Sequence, residues 1–280
     1  MQRFSYNKNK SFIWRHTIDD TPKKPSGSMH YDDYMVITYL IQGSGNIFVD
    51  ETSMDINAGD IIMVTPNEFH RTSLMGDPYN ERISIYLLPC FAEQMGVSQE
   101  TLFGAFYGRK RGVGNVIPAS IVKELGLNEI LENMQLPRDD DEELLLRCKI
   151  SELLLLLKKA VPLANESEAT TNISKTVKRA LEYINSHLCE DISTDSIAKA
   201  LFIDKSYLCR EFKRNIGVTV NEYISHKRII LAIQLIENGV PCTDACYQSG
   251  FGNYSSFYKY YKKYTENSPH ERKYNISKNY

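Results

Sequence analysis

Two short stretches carry the side chains best suited to binding something. Asp204 to Arg214 reads DKSYLCREFKR, and Asn253 to Tyr264 reads NYSSFYKYYKKY. Each mixes apolar anchors with hydroxyls and guanidinium or ammonium groups, and a glycine lies near each, Gly217 and Gly250. At helical spacing Leu208 and Phe212 share one face, as do Phe257 and Tyr261. That leaves Arg210, Lys213 and Arg214 outward in the first, and Tyr254, Tyr258, Lys259, Lys262 and Lys263 outward in the second. Cations and hydrogen-bond donors on an exposed helical face suit a polyanion. Enzymatic chemistry finds no comparable support, because there is no Ser-centred nucleophile elbow, Walker loop or dinucleotide fingerprint. The six cysteines, at 90, 148, 189, 209, 242 and 246, include one close pair, 242 and 246, with no second pair to complete a zinc set. Reduced thiols are the expected state.

The elements that position these stretches read as a repeat. Thr176 to His187 places Val177, Leu181 and Ile184 on one helical face. A helix then opens at Asp191–Asp195 with Ser193 as its N-cap. The basic helix from Asp204 or Ser206 follows and stops at Gly217. Val220 to Asn238 is a long helix ending at Gly239, Thr243 to Ser249 a short one broken at Gly250, and Asn253 or Ser255 opens the last. A short helix, a tight turn and a basic second helix thus occur twice, joined by one long helix: two tandem helix-turn-helix units.

Ahead of a polar linker, PLANESEATTN at 162–172, the pattern differs. Residues 34–49 are rich in β-branched and aromatic types with a glycine break at Gly43–Gly45. Strand-like runs at 53–56, 61–65 and 81–88 are separated by turns at Asn57–Asp60 and Pro66–His70, which predicts a small barrel or jelly roll. Ala119–Asn133 and Asp139–Ala160 are predicted helices. The second opens on acidic and closes on basic residues, and its leucines are dense enough to cover more than one side. Leu146, Ile150, Leu153 and Leu157 recur at spacings of three and four, which suits a seam between two copies. Charge divides along the same line. Residues 1–171 hold 17 Lys+Arg against 24 Asp+Glu, and residues 172–280 hold 16 against 11, so a net charge of -2 conceals -7 and +5. No apolar run approaches a membrane span, and the opening MQRFSYNKNKSF has no apolar core of a secretion signal, so a cytoplasmic location is expected.

The C-terminal third resembles the AraC family of bacterial transcription regulators. Phe212-Lys213, Gly217, Tyr223, Arg228, Ala232 and Leu235 carry the likeness in the first unit and connecting helix. Gly250-Phe251, Ser255, Phe257, Lys262 and Pro269 carry it in the second. Tyr261, Glu266-Asn267 and Arg272 depart from the pattern. The N-terminal part resembles the cupin-type sensor domain common in that family, through His30, Gly43-Ser-Gly45, Gly59-Asp60, Pro66 and His70.

The resemblance implies an N-terminal all-β cupin-like jelly roll with flanking dimerisation helices (1–161), the linker (162–172) and an all-α domain with two helix-turn-helix units (173–280). It implies a sequence-specific DNA-binding regulator rather than an enzyme. The expected type is an activator that works as a homodimer on double-stranded DNA, contacts RNA polymerase and answers to a small polar effector such as a sugar. Ser206, Cys209 and Arg210, with Tyr254, Ser255 and Lys259, match base-facing positions. Lys213, Arg214, Lys262 and Lys263 are expected on phosphates. The effector set is Trp14, His30, Tyr39, Gln42, His70 and Tyr86, with Gln42 standing where the arabinose-responsive member has its sugar-contacting arginine. The opening segment, 1–24, is a candidate cover for the pocket. Metal-binding cupins use two histidines and a glutamate, then a later histidine. Here Asp32 and Val36 stand at the second histidine and the glutamate, so neither metal nor cofactor is expected.

Overall fold

Alternating β-branched and aromatic residues build the first half of the chain into strands. The structure is a computed structural model. It describes residues 2–6, 11–19, 30, 32, 34–50, 52–66, 68–75, 79–110, 112–166, 173–265 and 268–269. Two compact units result, Met1–Asn172 and Ile173–Tyr280.

In the first unit the strands are β1 (Gln2–Tyr6), β2 (Phe12–Asp19), β3 (Met35–Gln42), β4 (Ser44–Val49), β5 (Thr52–Asn57), β6 (Ile61–Val64), β7 (His70–Met75), β8 (Asn80–Leu87) and β9 (Val116–Ile117). They form a six-stranded sheet in the order β1-β2-β8-β3-β6-β9 and a three-stranded sheet β5-β4-β7. Every pairing is antiparallel. Side chains alternate across each strand and fill two separate cores. Val36, Leu40, Ile47, Val49, Met54, Ile56, Ile62 and Val64 meet between the sheets. The other face of the larger sheet carries Phe12, Trp14, Ile37, Tyr39, Ile83 and Ile85 and is covered by helices.

Those helices are α1 (Cys90–Gln94), α2 (Gln99–Tyr107), α3 (Ala119–Glu124), α4 (Leu127–Glu132) and α5 (Asp140–Glu166). Four expectations are corrected here. Leu146, Ile150, Leu153 and Leu157 are at most 2% exposed, and all lie in the core that α5 shares with the sheet. They are therefore internal packing and cannot form a seam between copies. Spacing of three and four marks a buried face without saying what buries it. Each contributes roughly 1.5–3 kcal/mol by leaving water. The leucines that do reach solvent are Leu144 (56%), Leu145 (61%), Leu155 (44%) and Leu163 (41%). Second, α5 continues through Pro162 to Glu166, so the residues expected to open the linker are helical; 167–172 lie outside the described residues. Third, the opening segment is no loose cover where it is described: β1 pairs with β2, and β2 with β8 over its full length. Fourth, Trp14 and Tyr39 sit in the helix-covered core, on the opposite side of the sheet from the inter-sheet space.

The second unit contains α6 (Lys175–Ser186), α7 (Thr194–Ala200), α8 (Lys205–Ile216), α9 (Val220–Glu237), α10 (Cys242–Gln248) and α11 (Tyr254–Thr265). Local chemistry sets each boundary. Ser174 caps α6, Ser193 and Ser196 form a reciprocal capping box on α7, and Thr219 and Glu222 do the same for α9. Gly217 ends α8 in the left-handed conformation at φ 89°. Both α8 and α11 pack on α9. Glu266-Asn267 and Arg272, noted as departures from the family pattern, lie outside the described residues.

Candidate functional site

The basic helices are built alike. Asp204 caps α8 by accepting the Tyr207 backbone N–H at 2.9 Å, and Asn253 caps α11 by accepting that of Ser256 at 2.8 Å. Leu208 and Phe212 anchor α8, with no exposed surface; Phe257 and Tyr261 do the same for α11 four residues apart. The Phe212 ring meets Tyr223 of α9 edge-on at 5.5 Å, and the Phe257 and Tyr261 centroids are 5.4 Å apart. With the anchors buried, the opposite face is presented to solvent.

On α8 that face holds Ser206, Cys209, Arg210, Lys213 and Arg214, all exposed. The Arg210 guanidinium lies 5.8 Å from the Tyr207 ring centroid, so it is steadied without being used up by a carboxylate. Arg214 donates at 2.7 Å to buried Glu211, which turns part of its charge inward. On α11, Ser255, Lys259, Lys262 and Lys263 are exposed. Tyr254 differs from expectation: it is half-buried, its ring 5.4 Å from Phe257. Superposing the two caps puts Tyr258, which is exposed, at the place Cys209 holds in α8.

The turn before α11 fixes that helix. Gly250 has φ +91°, and a Cβ there would lie 2.6 Å from the Leu188 carbonyl and 2.9 Å from Arg228 Nε. Arg228 itself donates to the Leu188 carbonyl at 2.9 Å and the Glu190 carbonyl at 2.6 Å. One long side chain from α9 thus ties down the α6–α7 connection beside the glycine.

In the first unit the expected effector residues separate. Gln42 is exposed at the end of β3. Tyr39 donates to Glu132 at 2.9 Å, and burial together with that bond holds its hydroxyl above the ordinary tyrosine range. Tyr86 is the member of the set that packs against the inter-sheet core, edge-on to Tyr34 at 6.1 Å. Its hydroxyl accepts from Arg15 Nη1 at 3.2 Å.

His30 and His70 do come together, with ring centroids 4.4 Å apart and reciprocal backbone hydrogen bonds of 3.0 and 2.9 Å. Asp32 Oδ2 is 3.6 Å from His70 Nε2 and 4.0 Å from His30 Nε2. Two imidazoles and a carboxylate within 4.8 Å of one another could hold a divalent cation, although buried Val36 offers no donor as a fourth ligand. His70 is buried, with Nδ1 2.9 Å from the Glu68 carbonyl. Burial, and then the neighbouring His30, pull its pKa below the usual histidine value.

The support beneath His70 was not anticipated. Arg109 and Glu68 form an ion pair at 2.6 Å with 1% side-chain exposure on both partners. Glu68 also accepts from the backbone N–H of Thr65 at 2.7 Å and of Gly112 at 3.2 Å, and from Asn115 Nδ2 at 3.1 Å. Burial alone would raise the Glu68 carboxyl; the Arg109 charge and these bonds outweigh it and hold the pKa below the ordinary range.

Comparison with known proteins accords with both halves. The profile of the AraC-like ligand binding domain matches residues 18–109, and that of a helix-turn-helix domain matches residues 197–273. The Msm operon regulatory protein of Streptococcus mutans is 24% identical over 250 residues, 88% of this chain and 86% of that protein. The HTH-type transcriptional regulator YbfI of Bacillus subtilis is 27% identical over 228 residues, 81% of this chain and 79% of that protein. Unsaturated fatty acid bound ToxT of Vibrio cholerae strain SCE256 aligns over 95% of this chain and 96% of its own at 17% identity, with a TM-score of 0.39. With an AraC-like ligand binding domain on the antiparallel sheets and a helix-turn-helix domain on the paired basic helices, the chain belongs to the AraC family of transcriptional regulators.

Proposed function

We propose that this regulator acts in the cytoplasm as an activator, binding DNA as a homodimer and responding to a small polar effector held by its N-terminal unit. The observation that carries the DNA-reading part is the repeated presentation of α8 and α11. Each is anchored by two fully buried side chains and turns a hydroxyl and a cation outward at matching positions, Ser206 and Arg210 in one, Ser255 and Lys259 in the other. Arg210, with Cys209 beside it, is the principal base reader, because its fork pairs with a guanine edge. Lys213, Arg214, Lys262 and Lys263 take phosphates. In the second unit Tyr258 replaces Tyr254 as the aromatic member of the reading set. DNA-bound activators of this build hand recruitment to RNA polymerase.

The homodimer is assigned to the exposed side of α5. Leu145, Cys148, Glu152, Leu155 and Lys159 follow one another at spacings of three and four, with Leu144 and Leu163 flanking, and all are exposed. The helix begins with Asp140, Asp141, Glu142 and Glu143 and carries Lys158 and Lys159 two turns before its end. Antiparallel pairing of two copies sets acidic start against basic stretch, which supports a second copy of this chain as the occupant.

The test of DNA reading is a binding series on selected operator and random duplex at several salt concentrations. Arg210→Ala is expected to lose about 1–3 kcal/mol on operator with little change on random DNA. Lys262→Ala is expected to weaken both alike and to lower the salt slope by about one. Equal losses on both duplexes for Arg210→Ala would remove it as a base reader.

A further inference from the structure

The side of the larger sheet that faces the smaller one changes character across β8. From β3 and β6 it presents Val36, Leu40, Ile62 and Val64 to the inter-sheet core. From β1, β2 and β8 it presents guanidinium groups. Directly opposed residues share a face, and the register pairs Arg3 with Thr17, Thr17 with Arg82, Arg15 with Ser84, and Arg82 with Leu40. Arg15 and Arg82 therefore stand beside the apolar core on the same side as Tyr86.

Neither arginine has a carboxylate partner among the described residues, and the Tyr86 hydroxyl, 3.2 Å from Arg15 Nη1, is the one side-chain acceptor either reaches. The Arg15 guanidinium lies 5.0 Å from the Tyr86 ring centroid, and its Nε is buried without a hydrogen-bond partner. Arg82 is half-buried and makes no hydrogen bond or ion pair among the described residues. Burial pulls its pKa below the usual arginine value; Tyr86 and Asp19 act against that shift, and Arg3 and Arg15 act with it. Among the described residues, three guanidinium groups share this region with one nearby carboxylate, Asp19. A cation withdrawn from water is costly without a counter-charge, and cations without a carboxylate partner beside an apolar core leave a position that an anion would fill.

We propose that Arg15 and Arg82, with the Tyr86 hydroxyl, form the anion subsite of the effector chamber, taking a small molecule that carries a carboxylate or phosphate group. The proposal rests on the reading of the N-terminal unit as the effector-binding part and narrows the chemistry of what it binds. Guanidinium forks match the two oxygens of a carboxylate or phosphate. The charged donor that the sequence lacks at position 42 is supplied instead from β2 and β8, two strands that neighbour each other only in the folded sheet. A sugar acid or sugar phosphate fits this subsite, whereas a neutral sugar leaves both guanidinium groups unpaired.

The experiment uses the full chain, melted by fluorescence and titrated calorimetrically with glucose, glucose 6-phosphate, glucuronate and inorganic phosphate at matched ionic strength. The anionic probes are expected to raise the melting temperature and glucose to leave it unchanged, with the phosphate and carboxylate arms showing which group is preferred. Arg82→Gln and Arg15→Gln are expected to weaken the preferred anion about 10- to 150-fold, the loss of one charge-assisted hydrogen bond. Lys178→Gln, far along the chain in α6, is expected to bind it normally. Arg82→Gln alone is also expected to melt higher than the parent without ligand, because it removes an unpaired charge. A parent chain that answers to none of the anions, or anion binding that survives the Arg15→Gln/Arg82→Gln double variant, overturns the subsite. Glucose binding equally to parent and double variant overturns it too, while leaving the effector reading intact. An Arg82→Gln chain that melts lower without ligand shows Arg82 to be a structural group and has the same consequence.

Discussion

Replacing Arg109 with methionine keeps most of the side chain's volume and removes its charge, which strands the Glu68 carboxylate in a site with 1% exposure. Breaking a buried pair from one side costs about 3–5 kcal/mol, because the remaining ion has lost its partner and has no water. Glu68 retains hydrogen bonds from Thr65, Gly112 and Asn115, so the lower part of that range is expected. For a unit of this size each kcal/mol moves the melting temperature by about 2–4 °C, which gives a drop of about 6–12 °C for a loss of 3 kcal/mol. The assay is unusually clean. Trp14 is the protein's one tryptophan and sits in the core of the N-terminal unit, so its fluorescence reports that unit alone.

The pH dependence supplies a second reading. In the parent chain Glu68 has a lowered folded pKa, so its stabilisation is present above the ordinary carboxylate value near 4.5 and is lost as pH falls below it. Without Arg109 burial is opposed only by the remaining hydrogen bonds and the folded pKa rises, so the deficit of Arg109→Met should shrink as pH drops from 7 toward 5. Removing both partners, as Glu68→Leu with Arg109→Met, should cost less than Arg109→Met alone. A single variant melting within 2 °C of the parent, or a double variant worse than the single, would refute the reasoning.

Two further outcomes follow from the same unit. Leu145→Lys with Leu155→Lys should leave the N-terminal unit folded, with Trp14 still buried, since both are exposed, yet convert a dimer to a monomer in sedimentation; a dimer that persists would place the contact elsewhere. His70 has a folded pKa pulled below the usual value by burial, so the unfolded chain takes up its proton first as pH falls. Its neutral burial therefore stabilises fully above about 6.5, and that contribution is lost as pH drops further. A His70→Gln variant should show a flatter melting-temperature profile between pH 7 and 5, and parallel profiles would refute this.

The helical half was legible because its punctuation is local. Ser193, Asp204, Gly217 and Gly239 act on their own backbones, and the sequence places them where the helices begin and end. The barrel half was legible only as strands. Its sheet order puts β2 beside β8, more than sixty residues later, so nothing local signals that Arg15 and Arg82 share a face. Position α5 shows a different limit: it is apolar around much of its circumference, and spacing alone marks Leu146 and Leu145 as equally fit for a seam. Only the sheet and α2 packed against it decide which side is used internally. Helices α1 and α2 escaped notice because they are short, five and nine residues, and α1 begins within three residues of the end of β8.

The connecting helix α9 has a consequence for the operator. At 1.5 Å per residue its 18 residues make a rod of roughly 27 Å, and α8 and α11 are both fastened to it. The two surfaces proposed to read DNA therefore keep a fixed separation and a fixed phase. Inserting one base pair between the segments they read moves the second segment 3.4 Å along the duplex and turns it by about a tenth of a helical repeat, and α9 has no slack with which to follow. On the proposed DNA reading, the spacing between the two segments is thus a property written into the protein.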